Sequence, residues 1–284
     1  MKKILFTLLT IINIYAYDAF ITTDSLKDAL NEQNLVIIDV SDSYKKSHII
    51  GAISFDTNLL RKSDTNSSLA SMEELQEIFR DIGINNDSNV VIYGRNSNND
   101  IKKSAFLAFV LISHGFENVS ILDGGYMAWV FEHDMLTSRE ERDIQEGNLV
   151  LTSTNISVDI KYIQSNKKSK LIDARYPEKY YGISNNENDI YAGHIPGAKN
   201  SYCFYKFLRD KRIRTQEELE KIYVYGLELG KLDDIIVYGE NELDAAIEWY
   251  IIYKKMGYTG AKLYYNSFKE YAGLGLETQR FKWE

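Results

Sequence analysis

Apolar residues along this chain fall into two alternating rhythms, and the alternation occurs twice. Short runs dense in aliphatic residues, Val36-Ile37-Ile38, Val90-Val91-Ile92-Tyr93, Leu171-Ile172 and Ile235-Ile236-Val237-Tyr238, have the length and composition of buried strands. Between them the spacing becomes helical. Leu75, Ile78, Phe79 and Ile82 share one face, and Leu219, Ile222 and Tyr223 repeat the pattern. Both helices start on a capping box, Ser71-Met72-Glu73-Glu74 and Thr215-Gln216-Glu217-Glu218, in which hydroxyl and glutamate satisfy orphan N–H groups reciprocally. Gly83 and Gly226 stop them. The strands ending at Tyr93 and Tyr238 lead through loops into helices that stop at Gly115 and Gly257, the second starting near Asp244. A further strand closes each unit, Val119 to Leu122 and Ala261 to Tyr265. This order predicts an α/β fold with a parallel sheet in each half, flanked by helices on both faces, and sites at the strands' C-terminal ends.

The halves are copies by their punctuation. Val36-Ile37-Ile38-Asp39 matches Leu171-Ile172-Asp173, and His48-Ile49-Ile50-Gly51-Ala52 matches His194-Ile195-Pro196-Gly197-Ala198. Polar residues 137–148 predict a linker between a first domain, 19–136, and a second, 149–284. At the start, Lys2 and Lys3 precede an apolar stretch, Ile4 to Ile14, that is short for a bilayer span, and Ala16 offers a small residue for cleavage. Residues 1–16 therefore read as a signal peptide, with a periplasmic or otherwise exported mature chain starting near Tyr17 and no membrane span after cleavage.

At 284 residues the chain has room for two cores, and its net charge of −8 supplies no phosphate-neutralising stripe, which argues against nucleic acid as a partner. A single cysteine, Cys203, rules out an internal disulfide. No motif implies a cofactor or a metal.

Each copy carries a strand–loop–helix turn of the kind that aims backbone N–H groups at an anion or a thiolate. In both, the residue directly after the strand is glycine, Gly94 and Gly239.

The stretch Asp173-Ala174-Arg175-Tyr176-Pro177-Glu178-Lys179-Tyr180-Tyr181-Gly182, followed by Gly193 to Ala198, resembles the entry signature of the rhodanese family. Asp123-Gly124-Gly125-Tyr126 with Trp129 resembles the end of a first rhodanese domain, and Asn266-Ser267-Phe268-Lys269-Glu270-Tyr271 the end of a second. Over nearly the whole mature length the chain is similar to tandem-domain sulfurtransferases of thiosulfate or 3-mercaptopyruvate. The resemblance implies a persulfide-forming cysteine where Gly239 stands, and a glycine has no atom to attack sulfur. It implies an arginine at Lys179, which keeps the charge without the bidentate fork. It places Glu240, Asn241, Glu242 and Asp244 with Lys179 around the inherited substrate site. There the three carboxylates complement the helix dipole and repel an anionic substrate, a more ordinary role than cation binding. Arg175 reads as structural, pairing near the strand end. First domains of the family commonly lack the cysteine, so Gly94 fits, and Arg95 to Asp100 reads as a flexible polar turn more readily than an anion site.

Cys203 is the weak remaining candidate thiol, since it lies outside the amide cup with no fixed cation identifiable beside it. His48 and His194 sit in the glycine-bearing turns and read as structural; His114 and His133 carry no pattern. Three functions stay open. One is a catalytically degenerate rhodanese that binds a protein partner or a small anion. The second is an active sulfurtransferase using Cys203 or a partner's thiol, and the third a structural module of a cell-envelope assembly.

Overall fold

The computed structural model describes residues 17–62, 68–95, 97–183 and 191–282. The signal peptide expected at residues 1–16 lies outside the described residues.

The first half runs β1 (Phe20–Ile21), α1 (Thr23–Ala29), β2 (Leu35–Asp39), β3 (His48–Ile49), β4 (Ala52–Ser54), α2 (Met72–Asp81), β5 (Asn89–Tyr93), α3 (Asn98–Ser113), β6 (Val119–Leu122), α4 (Gly125–His133) and β7 (Thr137–Ser138). The second runs β8 (Ser157–Val158), α5 (Ile160–Ser165), β9 (Lys170–Asp173), α6 (Pro177–Tyr181), β10 (Lys199–Asn200), α7 (Gln216–Glu220), β11 (Ile235–Tyr238), α8 (Glu242–Tyr250), β12 (Ala261–Tyr264) and α9 (Ser267–Gly273). The two five-stranded sheets, β1-β6-β5-β2-β4 and β8-β12-β11-β9-β10, have the same order, and their strand pairs are all parallel. Both capping boxes form, at Ser71/Glu74 and at Thr215/Glu218.

Repetition extends to the hydrogen bonds. Tyr44 stacks on His48 at 3.9 Å and Tyr180 on His194 at 3.8 Å. Each ring's Nδ1 bonds the carbonyl of its stacking tyrosine, at 3.0 and 2.9 Å. The tyrosine hydroxyls donate to Ala52 O and Ala198 O. The histidines hold the turns together, as their sequence position suggested.

The domains share one apolar core, formed where α3 packs on α8. Residues Ala105 to Ile112 are buried without interruption, which explains why that helix shows little amphipathic periodicity. Phe109 meets Trp249 edge-on at 5.1 Å, and the buried Tyr250 hydroxyl donates to Ala19 O at 2.7 Å.

The linker expectation needs correction. Thr137 and Ser138 pair with β3, so the first domain keeps them. Leu149 and Leu151, assigned above to the second domain, are buried on the first, with Leu149 N donating to Ile84 O and Thr152 N to His114 O. Two buried leucines turn a polar connection into a strap across the first domain.

Candidate functional site

Gly239 follows β11 at the C-terminal edge of the second sheet, where the repeat puts Gly94 after β5. The loop after Gly239 is shorter than the sequence suggested. Asn241 caps α8, which begins at Glu242, two residues before the expected start. The Asn241 side-chain oxygen accepts from Leu243 N at 3.0 Å and Asp244 N at 3.3 Å, and Gly239 N donates to Ser267 Oγ at 3.2 Å. These backbone groups, expected to form an anion cup, are satisfied from within. In the first domain the buried Asp100 does the same work, its carboxylate accepting from Arg95 N at 3.0 Å. Ser97 and Asp100 form a third capping box, with the same hydroxyl-to-carboxylate spacing as the other two.

Neither glycine has room for a side chain. A Cβ at Gly239 would lie 2.7 Å from Ala245 N, 2.7 Å from Asp244 Cβ and 2.8 Å from Asn241 O. At Gly94 it would overlap Asp100. Such contacts with backbone at a helix start are not relieved by rotating a side chain.

The carboxylates of the second loop do not stand as a bare negative field. Arg61 of the first domain donates to Glu242 Oε1 through Nη2 at 2.6 Å and Nε at 3.1 Å, and Lys102 lies 2.5 Å from Asp244 Oδ1. Glu240 is 3.8 Å from Arg175. The repulsion expected from sequence is thus largely cancelled by cations at distant sequence positions. Arg61 also covers the Phe106 ring at 4.6 Å, so stacking orients its fork.

Arg175 is buried and holds Asp173 through Nε and Nη2, at 3.0 and 2.7 Å, with Nη2 also donating to Gly193 O. Its guanidinium lies 3.6 Å from the Phe268 ring centre. The first domain has Ser41 at the equivalent position, yet a guanidinium occupies the same place. Arg95 lies 3.8 Å from the Tyr126 ring and donates to Ser43 O and Ser47 O, and its charge helps to hold down Asp39. Burial nevertheless pushes the Asp39 carboxyl up, against hydrogen bonds from Ser41. Arg95 is therefore a built-in part of the fold, not the start of a flexible turn.

Cys203 is fully buried, which drives its thiol upward, and Asp244 and Glu248 push the same way. Lys206 and Lys102 oppose this, so cations do lie nearby, contrary to expectation, but they are outweighed. Lys206 is committed to a buried network: its Nζ is 3.1 Å from Glu248 and donates to Ser201 Oγ at 2.6 Å, and Tyr223 Oη donates to Glu248 at 3.0 Å. Lys179 sits on the exposed side of α6, its carbonyl accepting from Gly193 N at 3.0 Å. Of the loop's partners that the sequence did not single out, Arg61 and Lys102 lie in no recognisable motif, whereas Ser267 falls within the Asn266 to Tyr271 stretch already read as the end of a second domain.

The rhodanese-like domain model matches residues 22–132 and 159–274. A Mycobacterium leprae protein named "Putative thiosulfate sulfurtransferase" is 26% identical over 268 residues, covering 90% of this chain and 95% of its own. The sulfur carrier protein TtuD of Thermus thermophilus is 27% identical over 278 residues, covering 92% and 96%. Among solved structures, wild-type EanB superposes with a TM-score of 0.78 at 20% identity, over 94% of this chain and 70% of that one.

Proposed function

This chain belongs to the rhodanese-like domain family in both halves, and within that family we propose that it is an exported, catalytically degenerate member that acts by binding. The observation carrying this reading is the closure of both loops on glycine: no thiol stands after either strand, and the space for one is filled by the protein's own atoms. The buried, proton-holding Cys203 supports it from another side, because the thiolate is the species that takes up sulfur.

Of the two ligand classes, a protein partner fits better than a small anion, because Asn241 and Asp100 already use the loop amides. Tyr176 and Tyr205, each about half exposed, stack edge-on against Tyr202 at 5.0 Å beside the second loop, an amphipathic surface suited to protein contact. Relatives named for thiosulfate sulfurtransferase and sulfur-carrier roles support sulfur transfer as the competing reading. Thiocyanate formation from thiosulfate and cyanide discriminates: the purified protein is expected to match buffer. Turnover abolished by Cys203→Ser would overturn the proposal. Pull-down from the cell-envelope fraction of the native host, with the mature chain as bait, then tests the partner.

A further inference from the structure

The segment 207–213 belongs to the second domain but lies on the first. It folds back on itself through an isolated bridge between Phe207 and Ile213. Ile213 N donates to Asp123 Oδ1 at 2.7 Å, Lys211 Nζ donates to Asn98 Oδ1 at 2.7 Å, and Arg212 pairs with Glu132. Phe207 meets Phe20 edge-on at 6.0 Å. Beneath the segment is a cavity of about 20 Å³, room for about one water, walled by Tyr93, Gly94, Asp100, Ser104 and Lys211. This socket is the first domain's counterpart of the Gly239 loop. Lys211 adopts a left-handed φ of 69°, so the segment carries local strain for a residue with a side chain.

We propose that segment 207–213 is a lid on the first-domain socket, latched by Asp123 and closed more firmly by acid. Among the described residues, the Asp123 carboxyl is the anchor of this segment that is both half-buried and titratable near neutrality. Burial pushes Asp123 up from its ordinary 3.8 to about 6, against the Ile213 hydrogen bond and the charge of Arg212. Asp210 adds to the rise and Lys255 opposes it, while Lys211 of the lid and Asp100 of α3 face the same cavity. With the lid lifted, water reaches the carboxyl and the ordinary value returns. The closed form therefore binds protons more tightly than the open one, so this part of its stability is full below the open-state value and is lost as pH rises through about 6. Between pH 5 and pH 7 the closed-to-open ratio falls about tenfold. A protonated carboxyl keeps an oxygen to accept from Ile213 N and gains a hydroxyl donor.

Hydrogen exchange of the Ile213 amide, corrected for its intrinsic pH dependence, reads the lid directly. Protection is expected to be about tenfold greater at pH 5 than at pH 7 in the intact mature chain. Asp123→Asn, a neutral acceptor at both values, is expected to give equal protection at both. Glu132→Gln loosens the lid without touching the latch, and is expected to lower protection at both values while keeping the tenfold ratio. A flat profile in the unmodified protein overturns the proposal, as does a tenfold ratio that survives in Asp123→Asn. Parallel changes at Val237 in β11 overturn it too, because they would make the effect global.

Discussion

Gly239→Cys tests the proposed degeneracy, and placing a thiol there is expected to leave sulfurtransferase activity at background. The added Cβ meets Ala245 N and Asp244 Cβ at 2.7 Å and Asn241 O at 2.8 Å, so the first turn of α8 must shift. Overfilling a packed site costs about 1–3 kcal/mol. Moving that turn also weakens the Asn241 cap, worth about 0.5–2 kcal/mol. A loss of about 2–4 kcal/mol lowers Tm by roughly 5–10 °C in a chain of this size. Gly273→Cys is the internal control, because a Cβ there meets nothing within 4 Å, and its Tm should move by about a degree. The new thiol at 239 finds its neighbouring amides engaged by Asn241 and Ser267, so thiocyanate formation stays at background. Adding Glu242→Gln does not help, since it removes the partner of Arg61. A Gly239→Cys protein with unchanged Tm and measurable turnover would refute the steric argument.

The Arg61–Glu242 pair joins the domains with both side chains mostly buried, so a double-mutant cycle with Arg61→Ala and Glu242→Gln in urea should show a coupling of about 1–3 kcal/mol; zero coupling would reduce it to a surface contact. Lys206→Met leaves Glu248 buried opposite an apolar side chain and is expected to cost about 3–5 kcal/mol in the same measurement, against a smaller loss for Lys206→Met with Glu248→Gln. Cys203 should stay unmodified by a thiol reagent at pH 8 in the native protein and react stoichiometrically in denaturant; fast native labelling would contradict its burial and raised pKa.

The repeat, the sheet strands and both capping boxes were legible because each is a local pattern: a run of aliphatics, a hydroxyl three residues before a glutamate, a glycine with positive φ. Gly83, Gly115 and Gly257 all hold such a φ. The state of the loops was not legible, for a physical reason. Whether Glu242 and Asp244 form a repulsive field depends on Arg61 and Lys102, more than a hundred residues away and in no motif, brought there by packing of α3 on α8. The early start of α8 depended on whether Asn241 would cap the helix, and the residue type only permits that. Leu149 and Leu151 were hidden by the charges before them, although alternation in Leu149-Val150-Leu151 carries the signal of one buried face.

The two guanidinium sites bear on how such duplicated chains should be compared. Aligned column by column, Arg95 against Glu240 is a charge reversal and Ser41 against Arg175 an unrelated loss, two departures that each suggest decay. In space they are one exchange: the cation over the ring at the sheet's edge is supplied from the loop in one copy and from the strand exit in the other. The inherited unit is then a charge at a location, free to change its point of attachment to the backbone. Substitutions at 41 and 95, or at 175 and 240, should therefore be judged in pairs, since each pair supplies one cation over one ring.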